Sequence, residues 1–136
     1  MKRICIKIGS NVLTKENGEL NTSRIKNIVY QISSLRNMGI QCILVSSGAV
    51  AAGRSKVKLS EKIDTVSARQ IWSSVGQVEL LNVYSAFLKE FEIECAQVLV
   101  TKQDFRTREH YLNMKNCLNS LLNNRILPII NENDAV

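Results

Sequence analysis

The chain has 136 residues, a formal net charge of +6 at pH 7, and ordinary fractions of hydrophobic (45%) and charged (22%) residues. This length fits one domain, and such a composition excludes a disordered or fibrous protein. No apolar run reaches the roughly 18 residues of a membrane span, and the start MKR is followed by an apolar stretch too short for a signal peptide. We therefore expect a cytoplasmic protein with no membrane partner.

The basic residues are scattered along the chain, and aromatic residues make up only 5% of it. Nucleic-acid-binding domains instead gather Lys and Arg into patches that neutralise phosphates. The scattered pattern therefore predicts no nucleic-acid partner for this segment. A mildly basic protein that handles a small polyanion such as a nucleotide explains the net charge equally well.

The sequence contains four cysteines and one histidine, His110. Cys5, Cys42, Cys95 and Cys117 show no C-x-x-C spacing, and the first three lie within apolar runs. We therefore expect buried, reduced thiols and no metal site. The isolated His110 is expected on the surface or on a helix face.

Four short apolar runs are predicted to be β-strands. They are RICIKI (3–8), QCILVS (41–46), ECAQVLVT (94–101) and RILPIIN (125–131). Helical patterns separate these runs, and each run is almost uniformly apolar. Both features are typical of parallel βαβ units with helices on the two faces of a sheet. The predicted fold class is therefore α/β.

The first predicted helix runs through Ile25 and Leu35. Thr22 or Ser23 is its expected N-cap, and Gly39 is its expected C-terminal stop. This assignment places a complete helix between the first two strands.

Two further helical regions follow the second strand. Small residues after position 46 open a helix, and a long helical region then covers about residues 65–91. The apolar face predicted for that long region consists of Ile71, Val75, Val78, Leu81, Tyr84 and Leu88. The helix before the fourth strand is marked by Tyr111, Met114, Leu118, Leu121 and Leu122.

Small or polar clusters follow three of the predicted strands. They are KIGS (7–10), SSG (46–48) and NEND (131–134). The carboxyl ends of parallel strands meet at one edge of an open α/β sheet, where such sheets bind their ligands. The three clusters therefore predict a binding site at that edge.

The residue types in these clusters suggest what the site binds. A glycine beside a serine lets backbone N–H groups approach an anion, and a helix that begins there adds its positive dipole end. Lys7 would aim an ammonium at the same place, and the Asn/Asp cluster supplies acceptors for an amine. Each glycine alone is explained by a tight turn and each Asx by a cap; convergence of the three clusters favours the site.

One stretch resembles a different phosphate site. Gly48, Gly53, Arg54 and Ser55 have the spacing of the phosphate-binding loop G-x-x-x-x-G-K-[ST] and follow a strand. Arginine replaces the required lysine, however, and RILPIIN ends in Asn131 where a magnesium-associated Asp would be expected. Ala49 to Ala52 are better explained as the first turn of a tightly packed helix. A P-loop nucleotidase is the alternative that this motif leaves open.

The motifs KIGSNVLT, VSSGAVAAG and NENDAV, in this order, closely resemble the signatures of the glutamate 5-kinases, the proline-pathway branch of the amino-acid kinase family. Gly9-Ser10 replaces the double glycine that kinases for aspartate or N-acetylglutamate tend to carry, and the resemblance spans the whole chain, including VGQVELL and VLVTKQDF. It implies a three-layer α/β sandwich with a mainly parallel sheet.

The resemblance also implies a reaction. In this family the γ-phosphoryl group of ATP, which carries Mg²⁺, passes directly and in line to the side-chain carboxylate of L-glutamate. The product, L-glutamyl 5-phosphate, opens proline biosynthesis and would be used by glutamyl-phosphate reductase. The resemblance further implies feedback inhibition by proline and assembly into a homo-oligomer.

Roles transfer to this chain only where its residues match the family motifs. Lys7 would be the catalytic residue that stabilises charge on the transferring phosphoryl group. The remaining roles are ATP phosphate binding by Lys7, Gly9 and Ser10, glutamate binding by Ser47, Gly48 and Ala49, and orientation of the glutamate amino end by Asn131 and Asp134. The resemblance implies no metal ligand within the chain.

The family's kinase domain is substantially longer than this chain. The resemblance therefore implies that residues 1–136 are its N-terminal, glutamate-binding half, and that the nucleotide-binding half with a second phosphate-facing lysine is absent. We expect such a segment to be catalytically incomplete. A noncatalytic module that senses glutamate or proline is the alternative from a different class, because sensing requires only this half.

Overall fold

A four-stranded sheet organises residues 1–134, the part of the chain that the computed structural model describes. The last two residues of the NENDAV motif lie outside this part. The strands are β1 (Arg3–Ile8), β2 (Gln41–Ser46), β3 (Cys95–Val100) and β4 (Leu127–Glu132). All neighbours are parallel, in the order β1-β2-β4-β3. The prediction of a parallel α/β fold is confirmed.

The strand register brings the polar clusters to one edge of the sheet. Lys7 lies beside Val45 in the β1–β2 ladder, and Val45 lies beside Ile130 in the β2–β4 ladder. Parallel strands with this register end together, as the sequence predicted. In the two central strands, Leu44 and Ile129 are almost completely buried, as expected for parallel strands covered by helices.

Helices form layers on the two faces of this sheet. They are α1 (Ser10–Leu13), α2 (Thr22–Asn37), α3 (Ala49–Lys56), α4 (Thr65–Glu90), a 3₁₀ turn (Lys102–Phe105) and α5 (Arg108–Asn123). Ile6 and Ile8 pack against the core that α2 and α4 share. Arg3, on the opposite face of β1, donates to Asn119 of α5 over 3.0 Å. The architecture is therefore a three-layer sandwich. No helix in the described range is long and apolar enough to cross a membrane.

Helix α2 begins and ends almost where the sequence indicated. Its N-cap is Asn21, whose side chain accepts a hydrogen bond from the Arg24 N–H, so the prediction of Thr22 or Ser23 was wrong by one or two positions. The Asn amide places its oxygen where the first turn needs an acceptor. Gly39 follows the helix at φ +81, which confirms it as the stop.

The apolar face predicted for α4 was wrong in its first half. Val78 is 62% exposed and Val75 is 36% exposed. The buried residues of α4 are Ala68, Ser73, Gly76, Leu80, Tyr84 and Leu88. The close approach of α3 at Gly76 turns the small residues of α4 inward, because large side chains cannot fit between the two backbones. Tyr84 and Leu88 were predicted correctly.

The four cysteines are free thiols, but their predicted burial holds fully only for Cys42. Burial raises the pKa of the Cys42 thiol, and burial also raises that of the half-buried Cys95. Cys5 and Cys117 are exposed. Cys5 lies on the outer face of the edge strand β1, on the same side as Arg3 and Lys7. Helix α5 does not cover this face at Cys5. His110 is exposed at the start of α5, as expected.

Candidate active site

A cleft of about 460 Å³ lies at the carboxyl edge of the sheet. It brings together residues from all three clusters, namely Lys7, Ser10, Ser47, Gly48, Ala49, Asn131 and Asp134. Gly9 is not among the residues that line it; this glycine begins α1 at an ordinary φ of -80. One cleft therefore contains every site residue that the sequence suggested except Gly9.

Lys7 reaches the cleft from the end of β1. Because side chains alternate along a strand, it lies on the face opposite Ile6 and Ile8, and its side chain is exposed. It makes no hydrogen bond or ion pair within residues 1–134. The backbone beside it is fixed, since Ser47 N–H donates to the Ile8 carbonyl over 3.0 Å. A rigid strand end thus presents an unpaired ammonium to the cleft.

The N-terminus of α3 opens into the same cleft. Gly48 precedes the helix at φ +102, a left-handed conformation that favours glycine. The first helical hydrogen bond runs from Ala52 N–H to the Gly48 carbonyl over 2.9 Å, so the N–H groups of Ala49, Val50 and Ala51 come before it. No side chain caps them. Backbone donors and a positive dipole end therefore face the cleft.

The other long helices begin differently. The side chains of Asn21, Asp64 and Thr107 cap α2, α4 and α5, each by accepting a backbone N–H. Among the four helices of eight or more residues that the structure describes, α3 alone begins without a side-chain cap. Its first turn thus has no side-chain acceptor and can donate its N–H groups to an anion.

The small residues of VSSGAVAAG have a packing cause. A Cβ placed on Gly53 would lie 1.8 Å from the Trp72 carbonyl oxygen, and one on Gly76 would lie 1.6 Å from the Ala49 carbonyl oxygen. Helices α3 and α4 therefore touch backbone to backbone. This contact fixes the α3 N-terminus in the cleft, so the small residues hold the site in place as well as leaving room in it.

The same geometry excludes a P-loop at residues 48–55. Residues Ala49–Lys56 form a helix, whereas a phosphate-binding loop of that class is an open loop between its two glycines. Gly53 is buried against α4 and cannot approach a phosphate. The expectation of a tightly packed helix at these positions is confirmed.

Three hydrogen bonds support the floor of the cleft. Ser46 Oγ and the Tyr84 hydroxyl are 3.1 Å apart, and burial raises the pKa of Tyr84. Asn131 is 7% exposed; its Nδ2 donates to Gln77 Oε1 over 2.9 Å and its Oδ1 accepts from the Glu132 N–H over 2.8 Å. The side chain of Asn131 is thus largely occupied within the protein. It fixes the end of β4 to α4.

Sequence analysis missed two arginines that line the cleft. Arg69 of α4 donates from Nη2 to Asp134 Oδ1 over 3.2 Å. Arg54 of α3 lies over the Trp72 ring, 4.7 Å from its centroid. A signal existed for Arg54, because Val50, Ala51 and Arg54 share one helical face. No sequence pattern indicated Arg69, since its partner is 65 residues away.

The sequence matches the amino acid kinase family over residues 2–136. The chain belongs to this family. In the structure, the three motif clusters lie together at one edge of its parallel sheet.

Known amino acid kinases show how much of such a protein the chain represents. It is 48% identical over 134 residues to a glutamate 5-kinase of Bacteroides thetaiotaomicron, covering 98% of this chain and 37% of that protein. For a glutamate 5-kinase of Clostridium tetani the identity is 44% over 136 residues, covering 100% of this chain and 51% of the relative. The chain thus spans about a third to a half of the length of these relatives.

A solved structure supports the amino acid kinase fold independently of these sequences. The T. acidophilum isopentenyl phosphate kinase superposes with a TM-score of 0.64 and 15% identity. The superposition covers 96% of this chain and 54% of that protein. At this identity the likeness concerns the fold alone.

Proposed function

We propose that this chain is the glutamate-binding half of a glutamate 5-kinase. In the whole enzyme, the γ-phosphoryl group of ATP would pass to the side-chain carboxylate of L-glutamate. The relatives that share 44 to 48% of its residues over nearly the full chain carry this name. The nucleotide-binding half would lie in the part of those relatives that the chain does not span.

The uncapped N-terminus of α3 is the observation that carries the proposal. It points three backbone N–H groups into a cleft that also holds the unpaired ammonium of Lys7. Phosphoryl transfer to a carboxylate, which forms an acyl phosphate, brings together two anionic groups. Placing them side by side requires positive charge and donors fixed in advance, which is what this edge offers.

We assign the phosphoryl side of the cleft to Lys7, with the backbone of Gly9 and Ser10 beside the ATP phosphates. The ammonium of Lys7 would neutralise charge that develops on the transferring group. It needs no proton exchange for this role, because phosphoryl transfer depends mainly on positioning and charge stabilisation. Mg²⁺ would arrive bound to the nucleotide.

The acceptor side belongs to α3 and the end of β4. The Ser47 hydroxyl and the backbone N–H groups of Gly48 and Ala49 would hold the glutamate side-chain carboxylate, and Asp134 would accept from its ammonium. Asn131 would act chiefly by fixing the chain before Asp134, since its amide already bonds to Gln77 and to the Glu132 N–H. Glutamate would thus lie between the helix N-terminus and a partly buried carboxylate.

The wider roles follow the same proposal. The reaction would open proline biosynthesis, with glutamyl-phosphate reductase as the consumer of the product and proline as a feedback inhibitor. Assembly into a homo-oligomer is part of the proposal as well. Each of these concerns the whole enzyme.

Trapping of the acyl phosphate with hydroxylamine tests the reaction. The assay would compare the chain alone with the chain fused to the part of the Bacteroides thetaiotaomicron relative that follows the matched region. MgATP would be supplied with L-glutamate, and with aspartate as the control acceptor. We expect hydroxamate from the fusion with glutamate only. Product from the chain alone would show that it is catalytically complete; glutamate binding without product from either protein would favour the sensor.

Replacing Lys7 tests its assigned role in the active protein. We expect Lys7→Met to lose on the order of 3 kcal/mol of transition-state stabilisation, or about a hundredfold in turnover. Lys2→Met is the matched control, because Lys2 precedes the same strand at its opposite end. A Lys7→Met protein that keeps half the turnover of the parent would refute the role.

A further inference from the structure

The ion pair between Arg69 and Asp134 joins a partly buried carboxylate to an exposed guanidinium. Asp134 has 15% of its side chain exposed and Arg69 has 60%, and both line the cleft. Their contact joins Nη2 to Oδ1 at 3.2 Å. The guanidinium is therefore accessible to a ligand that lies against Asp134.

This contact uses only part of what the two groups offer. A guanidinium carries five N–H donors, and a carboxylate has two acceptor oxygens. Neither side chain makes another hydrogen bond within residues 1–134. The pair thus retains donors for an anion and an acceptor for a cation, side by side.

We propose that Arg69 and Asp134 together recognise the head group of an α-amino acid. Asp134 binds the ammonium, Arg69 binds the α-carboxylate, and the four groups form a ring of alternating charges. Arg69 is then a specificity-determining residue. The inference rests on the proposed function, because it assigns the α-carboxylate of the glutamate acceptor to a side chain.

The geometry of an α-amino acid favours Arg69 over Arg54 for this role. The ammonium and the carboxylate share one carbon, so a ligand whose ammonium contacts Asp134 has its carboxylate within reach of a donor that adjoins that acid. Arg69 adjoins it at 3.2 Å. Arg54 is held instead over the face of Trp72 and forms no ion pair in the described part of the chain.

Truncated ligands separate recognition from a merely structural role. Titration calorimetry would measure the binding of L-glutamate, of 4-aminobutyrate, which lacks the α-carboxylate, and of glutarate, which lacks the ammonium. The proteins are the parent chain, Arg69→Met, Arg54→Met and Lys89→Met. Lys89 is the matched control, because it is an exposed cation at the far end of α4. Circular dichroism would verify the fold of each.

The expected pattern is specific. The parent binds L-glutamate at least about tenfold more tightly than either truncated ligand, as charge-assisted hydrogen bonds allow. Arg69→Met loses about tenfold in L-glutamate affinity and binds 4-aminobutyrate as well as the parent does or better, since Asp134 is then unpaired. Lys89→Met behaves like the parent.

Other patterns overturn the inference. If Arg69→Met weakens L-glutamate and 4-aminobutyrate equally, Arg69 only positions Asp134. If Arg54→Met alone removes the preference for the α-carboxylate, Arg54 binds that group. A glutamate preference intact in Arg69→Met overturns the inference and leaves the proposed function standing. A folded parent chain that binds no L-glutamate overturns both.

Discussion

Two cavities of nearly equal volume lie at opposite ends of the sheet. The cleft at the carboxyl edge measures about 460 Å³, and a cavity at the amino edge measures about 470 Å³. Both contain arginines: Arg54 and Arg69 in the first, Arg36 and Arg125 in the second. Volume and basic residues therefore do not distinguish a site from a gap between helix ends.

The direction of the helices does distinguish the two ends. In a parallel sheet with crossover helices, the helix C-termini gather at the amino edge, where α2, α4 and α5 present carbonyl groups. Arg36 donates from Nη2 to the Arg125 carbonyl over 2.9 Å, and burial lowers the pKa of Arg36. The Arg36 guanidinium thus offsets part of the carbonyl dipole at this edge. At the carboxyl edge, Lys7 makes no ion pair within residues 1–134 and no side chain caps the α3 N-terminus, so a free ammonium and free backbone donors face one cleft there.

The largest effect should come from the contact that holds α3 in the cleft. We expect Gly76→Ala to destabilise the fold by about 3 kcal/mol or more, because overpacking alone costs 1–3 kcal/mol and the new Cβ would meet backbone. The Ala49 carbonyl oxygen would lie 1.6 Å from it, and helix backbone cannot move aside as a flexible side chain would. Urea unfolding followed by circular dichroism measures the loss.

Gly9→Ala is the matched control for this substitution. Gly9 has nothing within 4 Å of a would-be Cβ, and its φ of -80 is open to alanine. We expect the urea unfolding midpoint of the Gly9→Ala protein to stay near that of the parent. A Gly76→Ala chain as stable as Gly9→Ala would mean that α3 and α4 do not touch at their backbones, and that the α3 N-terminus is held by other means.

Removing one arginine from each edge sharpens the comparison further. We expect Arg36→Met to lower the free energy of unfolding by about 1 kcal/mol, since the Arg125 carbonyl loses a charged donor. Its L-glutamate affinity should stay within about twofold of the parent. Arg69→Met should instead lose L-glutamate affinity and keep a free energy of unfolding near that of the parent. Calorimetry and urea unfolding on both variants provide the two measurements. Weakened glutamate binding in Arg36→Met would show that the amino-edge cavity is coupled to the cleft.

The sequence allowed the cleft to be predicted because its main parts are local. Each cluster directly follows an apolar strand, and parallel strands must end at a common edge, so Lys7, Ser47 and Asp134 were placed together without any long-range information. Tightly packed small residues after β2 were predictable for the same reason. The glycine spacing and the strand before it belong to one short stretch.

The remaining parts depend on contacts between distant segments. The inward face of α4 is set by how closely α3 approaches at Gly76, and hydropathy alone favoured the larger Val75 and Val78, which are exposed. Arg69 enters the cleft only because α4 crosses beside the end of β4. Cys5 is exposed because α5 leaves the outer face of the edge strand β1 open. None of these follows from the period of a single element.

The smallest predicted effect concerns two of the helix N-termini at the carboxyl edge, those of α3 and α4. Helix α4 fills its own N-terminus with Asp64, which accepts from the Ser67 N–H and from the Ser67 hydroxyl, each over 2.8 Å. These hydrogen bonds hold the pKa of Asp64 below its ordinary value. As the pH falls, the unfolded chain therefore takes up the proton first. The stabilisation is complete above the pKa of the unfolded chain and is lost as the pH falls through the lower pKa of the folded one.

Asp64→Asn isolates this contribution, because asparagine caps a helix without titrating. Between about pH 6 and about pH 3, we expect the parent to lose more stability to urea than the variant does, since only the parent has a charged cap to protonate. Parallel loss in both proteins would mean that the carboxylate charge adds nothing at α4. The positive end of a helix at this edge would then attract anions only weakly. Anion binding at the uncapped α3 would depend on its hydrogen-bond donors and on Lys7.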